Sequence, residues 1–164
     1  MTEPLLHPQV DIIAAKIKKA GRYVKVTTNG MLLLEKAEAL AEGGLDHLQV
    51  ILDGPADVYD EIRGVNGGWN RAIGGIRKIR GVRPNLRTQI ICAVSNLNYD
   101  YVVRTVRAID DARLSIDLLC LQFMNFVSPF MCMVHSADVC DIRSEPSAVN
   151  EYADPPKVDY DSLI

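Results

Sequence analysis

Residues 48–63 read LQVILDGPADVYDEIR. Leu48-Gln49-Val50-Ile51-Leu52 is short, apolar and β-branched and predicts a strand. Asp53-Gly54-Pro55 supplies a turn, and helical sequence runs from about Asp57 to Arg63. A strand, a tight turn and a helix in immediate succession form half of a βαβ unit, and the same order recurs on either side. Upstream, Pro8 opens a helix whose apolar face is Val10, Ile13, Ala14 and Ile17, with Asp11, Lys16, Lys18 and Lys19 opposite and Gly21 as its stop. Tyr23 to Thr28 then predicts a strand closed by Asn29-Gly30. The following helix carries Leu33, Ala37, Leu40 and Ala41 on its apolar side and stops at Gly43-Gly44.

Downstream, a loop from Gly64 to Gly68 precedes a helix marked by Trp69, Ile73 and Ile76 that ends near Gly81. Leu86 to Val94 predicts a strand, Val102, Val103, Val106 and Ile109 a helix face, and Ser115 to Phe123 a last strand apolar enough to be covered on both faces. Strand and helix thus alternate four times at intervals of a few tens of residues, which predicts about four parallel strands with right-handed helical crossovers, an α/β architecture. A closed eight-unit barrel takes about 250 residues, so 164 residues predict an open or partial barrel.

Composition bounds the function classes. A chain 48% hydrophobic and 24% charged is neither a disordered acidic tail nor a fibre. Its 18 basic against 21 acidic residues give a formal net charge of −3, which argues against nucleic acid as a partner. No apolar run approaches the roughly 18 residues of a membrane span, and the N-terminus has no basic segment followed by an apolar one, so a cytoplasmic protein is expected. Cys92, Cys120, Cys132 and Cys140 make neither a dense disulfide framework nor a CxxC pair and read as buried free thiols. His7, His47 and His135 lack metal-ligand spacing, and His7 before Pro8 reads as a helix-entry residue. Gly67-Gly68 ahead of Trp69 suits a flexible loop better than an anion cradle, because the lysine and spacing of a P-loop are missing. The apolar run Phe123 to Val134, with Met124, Met131 and Met133, needs cover from the sheet, another domain or a partner. After Cys140 the periodicity fades and Pro146, Pro155 and Pro156 appear, which predicts a linker or tail.

In parallel α/β sheets ligands bind beyond the carboxyl ends of the strands. Those ends present Glu3-Pro4, Thr27-Thr28-Asn29-Gly30, Asp53-Gly54-Pro55, Ser95-Asn96, and Gln122 with Asn125. Each is also what a structural turn selects. Their order is more specific: EPLLHP, TTNG, LDGP with IRG, and LQF resemble the radical SAM superfamily over Glu3 to Phe126. The resemblance is to the branch with TTNG and SLDG strand ends, which includes molybdenum-cofactor, sulfatase-maturing and peptide-modifying enzymes, with a lean toward the last two.

The resemblance implies a partial radical SAM core at residues 1–126, followed by an apolar helix and Pro-containing tail or linker at 127–164. It implies S-adenosylmethionine and a 4Fe-4S cluster as cofactors, with a small-molecule or peptide substrate. By the same resemblance Glu3 receives the cofactor amino group, with Pro4 completing the motif, and Thr28 and Asn29 border the substrate side. Arg63 pairs with the cofactor carboxylate, as a permanently charged fork suits, the alternative being an exposed helix-end cation. Asp53, Ser95 and Gln122 line the adenosine side. Met1 and Thr2 stand where the family has two glycines, and Ile51 stands where a serine reaches the ribose. The three-cysteine CxxxCxxC loop is not found, and the four cysteines present do not replace it. The expectation is therefore an N-terminally truncated core, inactive as it stands, whose unpaired sheet edge favours self-association. The competing expectation is a cluster-free binding or interaction module on the same scaffold. An unrelated barrel fragment using acid-base chemistry is a third, weakened by the lack of a strand-end Lys or of a His with a positioned carboxylate.

Overall fold

The computed structural model describes residues 3–123. Its elements follow the predicted order. A 3-10 turn at Pro4–Leu6 leads into α1 (Val10–Lys19), then β1 (Lys25–Thr28), α2 (Leu33–Glu42) and β2 (His47–Ile51). α3 (Ala56–Arg63) and α4 (Gly68–Val82) join β2 to β3 (Arg87–Val94), and a 3-10 turn at Tyr99–Tyr101 runs into α5 (Val102–Asp111) before β4 (Leu118–Phe123). The strands form a parallel sheet in the order β1-β2-β3-β4. The readings of Met1 and Thr2, of Asn125 and the run from Met124 to Val134, of Cys132, His135 and Cys140, and of the helix and tail at 127–164 lie outside the described residues.

A sheet whose sequence order equals its spatial order, with right-handed crossovers, carries all its helices on one face. The alternation within each strand agrees. Leu48, Val50 and Leu52 are fully buried in one core with Ala37 and Leu40 of α2 and Ala72 and Ile76 of α4. Their neighbours in sequence, His47 and Gln49, point to the other face. The helices pack tightly over the sheet: a Cβ on Gly75 of α4 would lie 2.7 Å from Leu33 Cγ and 2.8 Å from Leu34 N of α2. Gly30, at φ +78°, is required twice, by its left-handed turn and because a Cβ there would stand 2.7 Å from Ala72 Cβ.

Three readings of the sequence are corrected at the two ends of this stack. On α1 only Val10 and Ala14 are buried, while Ile13 and Ile17 are 42% and 41% exposed. On α5 the buried residues are Thr105 and Ile109, and Val103 and Val106 are exposed. β4 is half-exposed to exposed along its length rather than covered on both faces. The physical reason is shared. Apolar periodicity predicts which stripe wants burial, but the first and last units of an open stack have a packing neighbour on one side only among the described residues.

Candidate functional site

The carboxyl ends of β1, β2 and β3 hold two hydrogen-bonded groups. The first centres on Glu3, which caps the Pro4–Leu6 turn: its Oε1 accepts from Leu5 N at 3.0 Å. The same oxygen accepts from Thr28 Oγ1 at 2.7 Å, and Oε2 accepts from Asn29 N at 2.8 Å. Thr28 Oγ1 in turn accepts from Gly30 N at 3.0 Å, and Asn29 Oδ1 accepts from Met31 N at 2.9 Å, the usual way an Asn shapes a turn. Glu3, Pro4, Thr28 and Asn29 are thus one constellation, and the TTNG strand end is built around the carboxylate.

The second group centres on Asp53, which is 8% exposed. Its Oδ2 accepts from Arg63 Nη2 at 2.6 Å and its Oδ1 from Ala93 N at 3.0 Å. Burial pushes the Asp53 carboxyl above its ordinary value, and the Ala93 amide and Arg63 charge oppose that shift without cancelling it. Asn98 ties in the end of β3: its Nδ2 donates to the carbonyls of Asp53 (2.6 Å) and Ala93 (2.9 Å), and its Oδ1 accepts from Ser95 N at 2.7 Å. Arg63 is therefore not the exposed helix-end cation of the alternative reading. It is a partly buried ion-pair partner whose guanidinium carbon lies 5.5 Å from the Tyr59 ring centroid.

Tyr59 joins the two groups. Its hydroxyl donates to the carbonyl of Asn29, and its ring packs edge-on against Trp69 with centroids 6.2 Å apart. Burial pushes its phenol up to about 12, so it serves as a donor at neutral pH. Sequence reasoning missed Tyr59, Asn98 and Asp60. Asp60 takes Gly67 N at 2.5 Å and Trp69 N at 2.9 Å, so the amides at the start of α4 already hold an anion supplied by the chain itself. The Gly67-Gly68 loop is thus no cradle for a bound phosphate. Ser95 belongs to the Asp53 group, whereas Gln122 stands exposed at the end of β4, outside this hydrogen-bonded chain among the described residues. The signal that could have found Asn98 is its place three residues after Ser95, the spacing at which a side chain reaches back to the backbone N–H that opens a turn.

The fit of a cofactor is testable on these atoms. An ionised carboxylate has about four acceptor sites, and Glu3 spends three on Leu5, Thr28 and Asn29, which leaves one for an ammonium. Arg63 Nε is buried with no hydrogen-bond partner among the described residues, a donor left over for a carboxylate. A metal centre does not fit: among the described residues no group of three His, Cys, Asp or Glu could hold one. Cys92 is buried on β3 with its thiol pushed up to about 12, chiefly by burial, and Cys120 lies on β4.

The family model described as Radical SAM superfamily matches residues 1–109. The chain is 36% identical over 105 residues to "AdoMet-dependent heme synthase" of Methanosarcina barkeri, covering 63% of the chain and 30% of that protein. It is 31% identical over 126 residues to "PqqA peptide cyclase" of Ruegeria pomeroyi, covering 74% of the chain and 33% of that protein. It therefore spans about a third of these relatives' length. Among solved structures, Streptococcus suis SuiB superposes with a TM-score of 0.60 at 18% identity over 78% of this chain and 29% of that one. At that identity the likeness is one of fold.

Proposed function

Because the chain belongs to the radical SAM superfamily, we propose that its described residues form the part of a radical SAM core that holds S-adenosylmethionine. The observation that carries this reading is the Glu3 carboxylate, fixed by three donors with one acceptor site to spare. In the family the bound cofactor supplies radical chemistry through reductive cleavage at a 4Fe-4S cluster. The described residues do not make a cluster site, so no cleavage step is assigned to them. Their work is binding and orientation. Glu3 would take the amino group, and Arg63, steadied by Asp53, the carboxylate. Thr28 and Asn29 border the substrate side, and Asp53, Ser95 and Gln122 the adenosine side.

The substrate in this reading is a small molecule or a peptide, since the relatives' names include both a heme synthase and a peptide cyclase. The setting is the cytoplasm, and no helix among the described residues is long and apolar enough to cross a membrane. The edge of β1, paired on one side only among the described residues, supports self-association. The second reading, a cluster-free binding module on the same scaffold, is favoured by the lack of a three-ligand metal group among the described residues and by Ile51 at the ribose position.

Calorimetric titration of the full chain with S-adenosylmethionine tests the proposal. Binding is expected, weakened at least tenfold by Glu3→Gln, whose amide nitrogen faces the Asn29 N–H as donor against donor. No binding at millimolar cofactor overturns it. Anaerobic reconstitution with iron and sulfide separates the two readings of activity: no stoichiometric cluster is expected, and one per chain would show that the cysteines present suffice.

A further inference from the structure

The helix-free face of the sheet carries two rows of polar side chains that the cofactor reading leaves unused. Register pairs Thr27 with Gln49 and Gln49 with Gln89, and one pleat nearer the amino ends of the strands it pairs Lys25 with His47 and His47 with Arg87. Paired residues in adjacent parallel strands point to the same side about 4.8 Å apart, so each row runs straight across three strands. The first row satisfies itself. Thr27 Oγ1 donates to Gln49 Oε1 at 2.9 Å, and Gln49 Nε2 donates to Gln89 Oε1 at 2.7 Å.

The second row does not. Lys25 and Arg87 are exposed, with no side-chain hydrogen bond or ion pair among the described residues. Between them His47 is 7% exposed, and its Nε2 is buried with no hydrogen-bond partner among the described residues. Lys and Arg stems can cover a ring, but they hold no polar atom along their length to partner a nitrogen. In the charged form of the ring Nε2 carries an N–H that meets no acceptor among the described residues, and beside two cations the acceptor that completes it is one carrying negative charge. Asp117, the carboxylate that also acts on this ring, is engaged: its Oδ2 accepts from Thr88 N at 2.6 Å and lies 4.0 Å from Arg80 Nη1.

The geometry points to an anion-binding site at the amino ends of β1, β2 and β3, where Lys25 and Arg87 supply charge and His47 Nε2–H donates to a carboxylate or phosphate oxygen. It lies at the far end of the strands from the Glu3 and Asp53 groups, about 15 Å away at strand rise, and so is filled independently of S-adenosylmethionine. Burial, Arg87 and Lys25 hold the His47 ring below its ordinary pKa, against a side-chain hydrogen bond with Gln89 and the charge of Asp117, which raise it. A bound anion favours the charged ring and shifts it upward.

The test is an NMR titration of the histidine rings of the full chain, with inorganic phosphate, phenyl phosphate and succinate as probes. Saturating phosphate is expected to raise the His47 pKa by more than half a unit. The double variant Lys25→Gln, Arg87→Gln should weaken phosphate binding at least tenfold, and because both side chains are exposed its Tm should stay within a few degrees of wild type. Phenyl phosphate binding more tightly than phosphate identifies an esterified occupant, equal binding a free anion, and tighter succinate a carboxylate; each supports the site. A His47 pKa indifferent to all three probes, or an affinity unchanged in the double variant, overturns it.

Discussion

Replacing Arg63 by Met tests how the Asp53 group is held together. The methionine keeps an apolar stem beside Tyr59 but leaves Asp53 with only the Ala93 amide and no counter-charge. Breaking a fully buried ion pair costs about 3–5 kcal/mol. The Arg63 and Asp53 side chains retain 26% and 12% exposure, so screening brings the expected loss to about 2 kcal/mol. The loss carries a definite pH dependence. Asp53 already titrates above its unfolded value because burial disfavours its charge, and removing Arg63 raises it further. A carboxyl raised on folding penalises the native state above its folded pKa, and the penalty fades as pH falls through that value. Urea denaturation should therefore place R63M about 2 kcal/mol below wild type at pH 8, and within about 1 kcal/mol at pH 5. An equal deficit at both pH values would refute the electrostatic account and leave Arg63 acting through packing alone.

Gly75→Ala should lower stability by about 1–3 kcal/mol despite its better helix propensity, because the new methyl would meet Leu33 and Leu34 at 2.7–2.8 Å. Gly81→Ala in the same helix meets nothing within 4 Å and should gain up to about 1 kcal/mol; thermal melts of the pair separate steric clash from propensity. Arg113 follows the α5 C-cap at φ +47°, the one non-glycine residue with positive φ among the described residues. Arg113→Gly should therefore raise Tm by about 2–4 °C, worth roughly 1 kcal/mol for a chain of this size; an unchanged or lower Tm would show that the arginine side chain offsets its own backbone strain.

Much of the fold is legible because it rests on short-range pattern. The four strands appear within a few residues of their predicted limits, since β-branched runs bounded by Asn-Gly, Asp-Gly-Pro and Ser-Asn are local signals. The outward tilt of Ile13, Ile17, Val103 and Val106 is not local, because it depends on which units flank α1 and α5. The same divide runs through the site. Glu3, Thr28, Asn29 and Asp53 stand out as strand-end residues. Their partners do not: Tyr59 reaches back 30 residues to Asn29, and Asn98 reaches 45 to Asp53. Nothing in the spacing of Arg63 tells that it folds onto Asp53 ten residues earlier. A guanidinium beside a carboxylate on the next turn is chosen by the loop between them.

The strict β1-β2-β3-β4 order has a further consequence for how the molecule comes apart. Among the described residues each strand is hydrogen-bonded only to the strands next to it in sequence, so cooperativity travels along a line and not around a ring. Such a line melts from its ends. Amide exchange should be slowest in β2 and β3, each clasped on both sides, and faster in β1 and β4. The hinge between order and fraying then falls at β1, the strand whose end carries Thr28 and Asn29, so whatever grips Glu3 also clamps the first rung of the ladder among the described residues.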